Sequence, residues 1–272
     1  MDASLAHGVR LHHPAKARCV VTDESGTITG VKIMDLNTRK ETTLPCTNLV
    51  ISAGPWTHRV FKGLFPASNK SIPVSHLAGY SILLRSPRYK EDEEPDLENA
   101  RSNAVFTTQP DACGFSPEIF SRQGGELYVA GLNPPDIPFP KRAEETRKLM
   151  KEEELARLKK VAVRLLGKVV DSNAVPGIPN TDDLQVIREG LCFRPLSARG
   201  TPIISRIDDS SLGNGLRTGS KDEEEVGRGR GGVFVAAGHG QWGISLSLGT
   251  GKIIAEMIDD IVTSVNVKRL AI

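Results

Sequence analysis

The strongest chemical signal in this sequence is a glycine-rich turn between an apolar run and a helical stretch. Residues 233–237 are apolar throughout, and Gly238, Gly240 and Gly243 follow them at the spacing G-x-G-x-x-G. Glycines at this spacing let the main chain approach a ligand closely. The free N–H groups of the helix that follows stabilise negative charge. The pattern therefore predicts a strand, an anion-binding turn and a helix.

The same spacing is the fingerprint of NAD-binding units, but the sequence that follows does not fit that class. Such a unit places a second strand, ending in an acidic residue, about 20 residues beyond the turn. Here the predicted helix occupies residues 245–262, and the sequence ends at Ile272. Because no second strand fits there, the NAD-binding interpretation of this turn is rejected.

Two further segments carry residues that could line a ligand site. Residues 49–53 form an apolar run that ends in Ala53 and Gly54, where a bulky ligand could pass, although a strand that turns a corner explains them as well. Arg194 lies among apolar residues of a strand-like stretch. A guanidinium in such surroundings needs a carboxylate, either from a structural Asp or Glu or from a substrate.

Composition and charge describe an ordinary soluble globular protein. The chain has 272 residues, of which 39% are hydrophobic and 25% charged, with a formal net charge of +2. That charge is too small to indicate a nucleic-acid partner. No stretch reaches the roughly 20 apolar residues of a membrane-spanning helix. The four cysteines form no C-x-x-C pair and no secretory signal is present, so a cytoplasmic protein with reduced thiols is expected.

Periodicity indicates the elements that position these residues. A charged stretch with an apolar stripe predicts a long helix at residues 141–168. Gly8 has the position of a helix C-cap, and a short disordered leader explains the N-terminal residues equally well. Gly124 and Gly125 predict the turn of a hairpin. Strands are predicted at residues 17–21, 27–34, 41–44, 49–53, 71–85, 104–108, 118–121, 126–131, 184–193, 202–205 and 233–237.

Taken in order, residues 49–56, 189–204 and 233–244 resemble the D-amino-acid oxidase, glycine oxidase and sarcosine oxidase family of FAD-dependent oxidoreductases. The resemblance runs from about Gly8 to the end of the last predicted helix, and residues 57–183 carry little of it. It implies hydride transfer from a C–N bond of a small amine or amino acid to FAD, with O₂ as the re-oxidant.

The resemblance also assigns roles to individual residues. Arg194 matches the arginine that binds the substrate carboxylate in members that oxidise amino acids. Ala17 matches the strand that meets the adenine ring, Ala53 and Gly54 would lie along the FAD, and Trp56 would pack near it. The turn that would hold the flavin ring through main-chain N–H groups comprises Gly238, His239, Gly240, Gln241, Trp242, Gly243 and Ile244.

Two side chains with reactive groups, His239 and Cys192, lie at or near these positions. Because hydride transfer requires no general base, His239 is interpreted as a turn residue near the flavin. Cys192 lies near the position at which sarcosine-type members attach flavin to a thiol. A free cysteine is by default a small buried hydrophobe.

The family opens with a βαβ unit that binds the FAD pyrophosphate, and this sequence shows no such unit. The chain is therefore expected to be either a fragment of a complete oxidoreductase or a truncated, non-catalytic binding or regulatory protein. Residues 49–53 and 233–237 are typical of a sheet covered on both faces, which favours the fragment.

The combined prediction is a mixed α/β fold. Residues 1–66 and 185–272 are predicted to form a partial FAD-binding, doubly wound domain. Residues 67–184 are predicted to form an antiparallel-sheet substrate domain that carries the long helix.

Overall fold

A computed structural model describes residues 2–89, 102–108, 113–170, 180–219 and 231–272. The fold is mixed α/β, as predicted. Its helices and strands, in chain order, are α1 (Asp2–Ala6), β1 (Ala15–Thr22), β2 (Ile28–Asp35), β3 (Glu41–Pro45), β4 (Asn48–Ile51), α2 (Thr57–Leu64), β5 (Val74–Arg85), β6 (Ala104–Phe106), β7 (Glu118–Arg122), β8 (Glu126–Leu132), α3 (Glu152–Leu166), β9 (Gln185–Ser197), β10 (Ile203–Ile207), β11 (Gly232–Ala237) and α4 (Gly243–Ile258).

The chain divides into two compact units, one comprising Met1–Ser75 with Arg194–Ile272 and the other comprising His76–Phe193. The sequence places the boundaries at 66/67 and 184/185, between predicted elements. In the structure both boundaries fall within long strands, β5 and β9, because each of these strands continues from one unit into the other.

The first unit contains a three-stranded sheet in the order β10-β11-β4. Strand β11 is buried at every position, pairs parallel with β4 and pairs antiparallel with β10. On one face Ile254 of α4 packs with Ile204 and Phe234. On the other face α2 contributes Phe61 and Leu64 to a second apolar cluster. Cover on both faces explains the continuous apolar run of β11 and confirms that prediction for residues 233–237. In β4, by contrast, Val50 is 38% exposed.

The first unit also contains the antiparallel meander β1-β2-β3. Its first turn is closed by Asp23, whose Oδ1 accepts hydrogen bonds from the main-chain N–H groups of Ser25 and Thr27 at 2.8 and 2.9 Å. Helix α1 ends as predicted at Gly8, whose φ of +84° favours glycine.

The second unit is built on the sheet β6-β7-β8-β5-β9. Strands β7 and β8 form the predicted hairpin, and its turn uses positive φ angles at Gly124 and Gly125, +86° and +70°. Leu155, Leu158 and Ala162 of α3 pack in the core of this unit. The apolar stripe predicted for the helix therefore faces the core, as expected.

The prediction of one helix over residues 141–168 is wrong at its first half. A 3-10 segment (Ala143–Leu149) precedes α3, and Met150 and Lys151 between them have extended backbone, with ψ angles of 130° and 124°. The main-chain N–H of Lys151 donates to Tyr80 Oη at 2.9 Å. A tertiary hydrogen bond thus satisfies a donor at the helix start, and local periodicity cannot reveal such a partner.

The last helix is shorter than predicted, since α4 ends at Ile258 and Asp260 has a φ of +54°. The charged sequence at residues 88–101 predicts a solvated loop, and the Gly- and Ser-rich sequence at residues 208–232 predicts a flexible insertion. Most of the first segment and part of the second lie outside the described residues. In the part of the chain that is described, no helix combines the length and apolar character required to cross a membrane.

Candidate functional site

Three chain segments of the first unit meet at one edge of the sheet β10-β11-β4. Strands β4 and β11 run parallel with Ile51 opposite Val235, so both leave the sheet at the same edge. Strand β10 begins at that edge, where Ile203 lies opposite Ala237. In open α/β sheets, ligands bind outside the carboxyl ends of parallel strands. This edge is therefore the candidate site.

The glycine turn follows β11 and depends on glycine for its geometry. Gly238 and Gly240 have φ angles of +77° and +59°. A Cβ on Gly238 would lie only 3.1 Å from Ser197 Cβ. The turn continues as a short 3-10 segment, Gly240–Trp242, in which Trp242 N donates to His239 O at 3.0 Å. Positive φ and close approach to β9 both disfavour a side chain here.

Helix α4 starts directly after the turn and has no side-chain cap. Its first-turn N–H groups are therefore left to bind water or a ligand. Trp242 and Ile244 beside them are 57% and 91% exposed. An accessible helix start without an acidic cap favours a ligand atom that carries negative charge.

His239 connects the turn to its neighbours. Its Nε2 lies 3.0 Å from Thr250 Oγ1 on α4, and its main chain forms an antiparallel bridge with Leu196 on β9. Burial lowers the pKa of His239 below its usual value, so the imidazole is neutral at neutral pH.

The segment after β4 turns a corner into α2. Gly54 has a φ of +53°, and a 3-10 segment, Gly54–Trp56, is closed by a 3.0 Å hydrogen bond from Trp56 N to Ala53 O. Thr57 Oγ1 donates to Gly54 O at 2.8 Å. The corner that the sequence suggested is present, and it lies at the same edge of the sheet as the glycine turn.

Arg194 lies near the end of β9, two residues before Leu196, whose main chain bridges to the glycine turn. The residue is half-buried. Its side chain has no hydrogen-bond or ion-pair partner within residues 2–89, 102–108, 113–170, 180–219 and 231–272. The structural carboxylate that the sequence left open is thus not found among the described residues.

The remaining candidates lie elsewhere. Ala17 is on the meander strand β1 and is exposed, in the other sheet of the first unit. Cys192 is an exposed cysteine of the second unit that forms no disulfide, and its Sγ lies 3.7 Å from Gly79 O. The edge of the sheet brings together Ala53, Gly54, Trp56, the glycine turn and the end of β9 that carries Arg194.

The glycine turn is also contacted by residues that the sequence did not indicate. Thr250 on α4 is only 9% exposed. A hydroxyl on a helix face that is expected to be apolar could have indicated a buried hydrogen bond. Leu196 and Ser197 contact the turn through their main chain and Cβ, respectively. Such contacts do not depend on residue type, so the sequence does not reveal them.

Comparison with known proteins identifies the family. Residues 1–257 match the DAO family of FAD-dependent oxidoreductases. The chain is 28% identical over 231 residues to a Schizosaccharomyces pombe protein named as an oxidoreductase, covering 84% of this chain. It is 24% identical over 212 residues to the Saccharomyces cerevisiae oxidoreductase TDA3, covering 78% of this chain.

Solved structures show the same fold at low sequence identity. Glycine oxidase from Geobacillus kaustophilus superposes on 99% of this chain with a TM-score of 0.60 and 20% identity. L-amino acid deaminase from Proteus vulgaris superposes on 99% with a TM-score of 0.56 and 13% identity. The relatives are longer, since the chain spans 46% and 31% of the two yeast proteins and 54% and 52% of these two structures. The chain belongs to the DAO family of FAD-dependent oxidoreductases.

Proposed function

We propose that this chain forms the flavin-facing and substrate-binding part of an oxidoreductase that oxidises a C–N bond of a small amine or amino acid. The observation that carries the proposal is Arg194, a half-buried guanidinium without an acidic partner in the described part of the chain. It is joined through Leu196 to the glycine turn. A glycine oxidase and an L-amino acid deaminase share the fold, which agrees with a carboxylate ligand for this arginine.

The residues at the edge of the sheet fit an FAD. The turn from Gly238 to Ile244 offers main-chain N–H groups at an uncapped helix start, where negative charge on the flavin ring is stabilised. In this proposal Ala53 and Gly54 would leave room beside the flavin, Trp56 would pack near it, and Ala17, in the other sheet of the unit, would lie on the adenine side. When bound, FAD accepts the hydride and O₂ re-oxidises it.

Arg194 binds and orients the substrate in this proposal. A guanidinium holds a carboxylate through two parallel hydrogen bonds, which set both position and direction. In this proposal the substrate reacts as the neutral amine, and loss of a hydride from the adjacent C–H bond gives an iminium ion directly, so His239 is not required as a base. The lowered pKa of His239 keeps a positive charge away from the turn at neutral pH.

We further propose that a βαβ unit outside these residues holds the FAD pyrophosphate and packs against this unit at β4 and α4. In the described part of the chain, β4 is an outermost strand of the sheet β10-β11-β4, and only β11 pairs with it. On α4, Ile244 and Leu248 are 91% and 88% exposed, and Gly251 and Ala255 extend the same exposed stripe. An apolar face of this kind is typical of a helix covered on two sides.

The test uses the whole polypeptide that contains this chain, purified and scanned for the visible absorbance of bound flavin. Peroxide production is then measured with paired substrates that differ by one carboxylate, glycine against methylamine and proline against pyrrolidine. We expect Arg194→Met to raise KM for the amino acid by about 10- to 100-fold and to leave the amine unaffected.

Arg188→Met is the matched control, since Arg188 is an exposed arginine on the same strand. Equal losses with both members of a substrate pair would overturn the assignment of Arg194. A polypeptide that binds no flavin would instead support the alternative of a non-catalytic binding or regulatory protein.

A further inference from the structure

One side chain of the glycine turn makes contacts that FAD binding alone does not explain. His239 forms a side-chain hydrogen bond to Thr250 on α4, 3.0 Å from Nε2 to Oγ1. It also forms a main-chain bridge to Leu196 on β9. His239 thus joins the turn both to the helix after it and to the strand that carries Arg194.

The partner of His239 occupies a position where packing alone would favour an apolar residue. Thr250 is 9% exposed, and the next buried residue along α4, Ile254, packs in the apolar cluster with Phe234 and Ala236. A buried hydroxyl is unfavourable unless it is hydrogen-bonded. Valine has the shape of threonine without the hydroxyl, so the hydrogen bond to His239 accounts for the choice of threonine.

Two glycines of the turn lie near the side chains of His239 and Ser197. The position of a Cβ on Gly243 lies 3.9 Å from His239 Cβ, and that on Gly238 lies 3.1 Å from Ser197 Cβ. The turn therefore rests between α4 on one side and the end of β9 on the other. The side chain and main chain of His239 thus connect the turn to both of these elements.

We propose that His239 is a positioning residue, whose hydrogen bond to Thr250 fixes the glycine turn in register with the strand that carries Arg194. The inference rests on the proposed function, in which the glycine turn binds the flavin and Arg194 binds the substrate that the flavin oxidises. Chemical groups that act together require placement to within about 1 Å. The His239–Thr250 hydrogen bond supplies this placement for the turn.

The test compares Thr250→Val, which removes only the hydroxyl, with Thr250→Ser, which retains it. Hydrogen–deuterium exchange of the Trp242 amide, whose N–H donates to His239 O, is measured on the chain without added flavin. Loss of one hydrogen bond should raise local exchange about fivefold in Thr250→Val. Thr250→Ser should exchange as the unsubstituted chain does.

His239→Phe provides a second variant that removes the same hydrogen bond from the other side. If the pair acts as a unit, the double variant His239→Phe with Thr250→Val should exchange no faster than either single variant. The dissociation constant for FAD, measured by flavin fluorescence in the whole polypeptide, should rise with Thr250→Val and not with Thr250→Ser.

Equal exchange in Thr250→Val and Thr250→Ser would overturn the proposal. An equal acceleration of amide exchange in the meander β1-β2-β3 would also overturn it. The hydrogen bond would then stabilise the unit in general and would not position the turn. If the exchange difference is present while FAD does not bind, the positioning role stands and the proposed function fails. If FAD binds and no exchange difference is found, the positioning role alone fails.

Discussion

At the scale of single residues, the candidate site depends on glycines whose geometry no other residue adopts easily. Gly238 combines a φ of +77° with a close approach to Ser197. Gly249 lies in helix α4, where an added Cβ would meet no atom within 4 Å. The two glycines therefore make a matched pair.

Gly238→Ala should lower the free energy of unfolding by about 1–2 kcal/mol, because alanine is strained at positive φ and its Cβ would crowd Ser197. Gly249→Ala should raise it by up to about 1 kcal/mol, because alanine is the better helix former. Urea unfolding of both variants measures the difference. Similar effects of the two substitutions would contradict the geometry described for the turn.

A second residue-scale prediction concerns pH and His239. Its pKa in the folded chain lies below the unfolded value because burial disfavours the charged form. The unfolded state therefore binds more protons between the two pKa values, and stability falls as the pH decreases through that window. Relative to His239→Gln, the unsubstituted chain should lose stability as the pH falls below an unfolded pKa of about 6.5, until the pH is below the lowered folded pKa. Parallel curves from denaturant titrations would contradict the burial of His239.

At the scale of elements, α4 presents one buried apolar face and one exposed apolar face. One face contains Ile254, 7% exposed and packed on β10 and β11. The other contains Leu248, 88% exposed. The first face stabilises this unit, and the second is available to the βαβ unit proposed above.

Ile254→Ala should cost about 2–4 kcal/mol in the free energy of unfolding, because it leaves a cavity against the sheet. Leu248→Glu should change that free energy by less than about 0.5 kcal/mol, yet it should lower flavin retention in the whole polypeptide. Lys252→Gln, at an exposed charged position of the same helix, is the control for flavin retention. Normal flavin content in Leu248→Glu would remove α4 from the proposed contact surface.

At the scale of the whole molecule, the two units have separate apolar cores. Leu158 is fully buried in the core of the second unit, whereas Val233 and Val235 belong to a cluster built from residues of the first unit. Each unit therefore has the means to open independently of the other.

Leu158→Ala should destabilise the second unit by about 2–5 kcal/mol. Native-state hydrogen exchange should show faster exchange at β7 and β8 and unchanged exchange at β11. Leu165→Ala, at a 42% exposed position of the same helix, should have little effect at either place. Equal acceleration in β8 and β11 would show instead that the two units unfold as one.

The sequence alone determined the features that depend on neighbouring residues. The run from β11 through the glycine turn into α4, the hairpin at Gly124 and Gly125, and the end of α1 at Gly8 were all predictable. Glycine is the only residue that adopts positive φ freely, and apolar periodicity reports burial directly. Local chemistry was sufficient in each case.

Only the tertiary structure decided the features that depend on distant partners. The Tyr80 hydroxyl accepts a hydrogen bond from the main-chain N–H of Lys151, within the segment predicted as one continuous helix. The unit boundaries fall inside β5 and β9. Thr250 and Leu196 hold His239 from two different elements, and Arg194 has no acidic partner within the described part of the chain. Each of these outcomes depends on contacts between residues that are far apart in sequence. The residue type at a single position does not encode the geometry of such contacts.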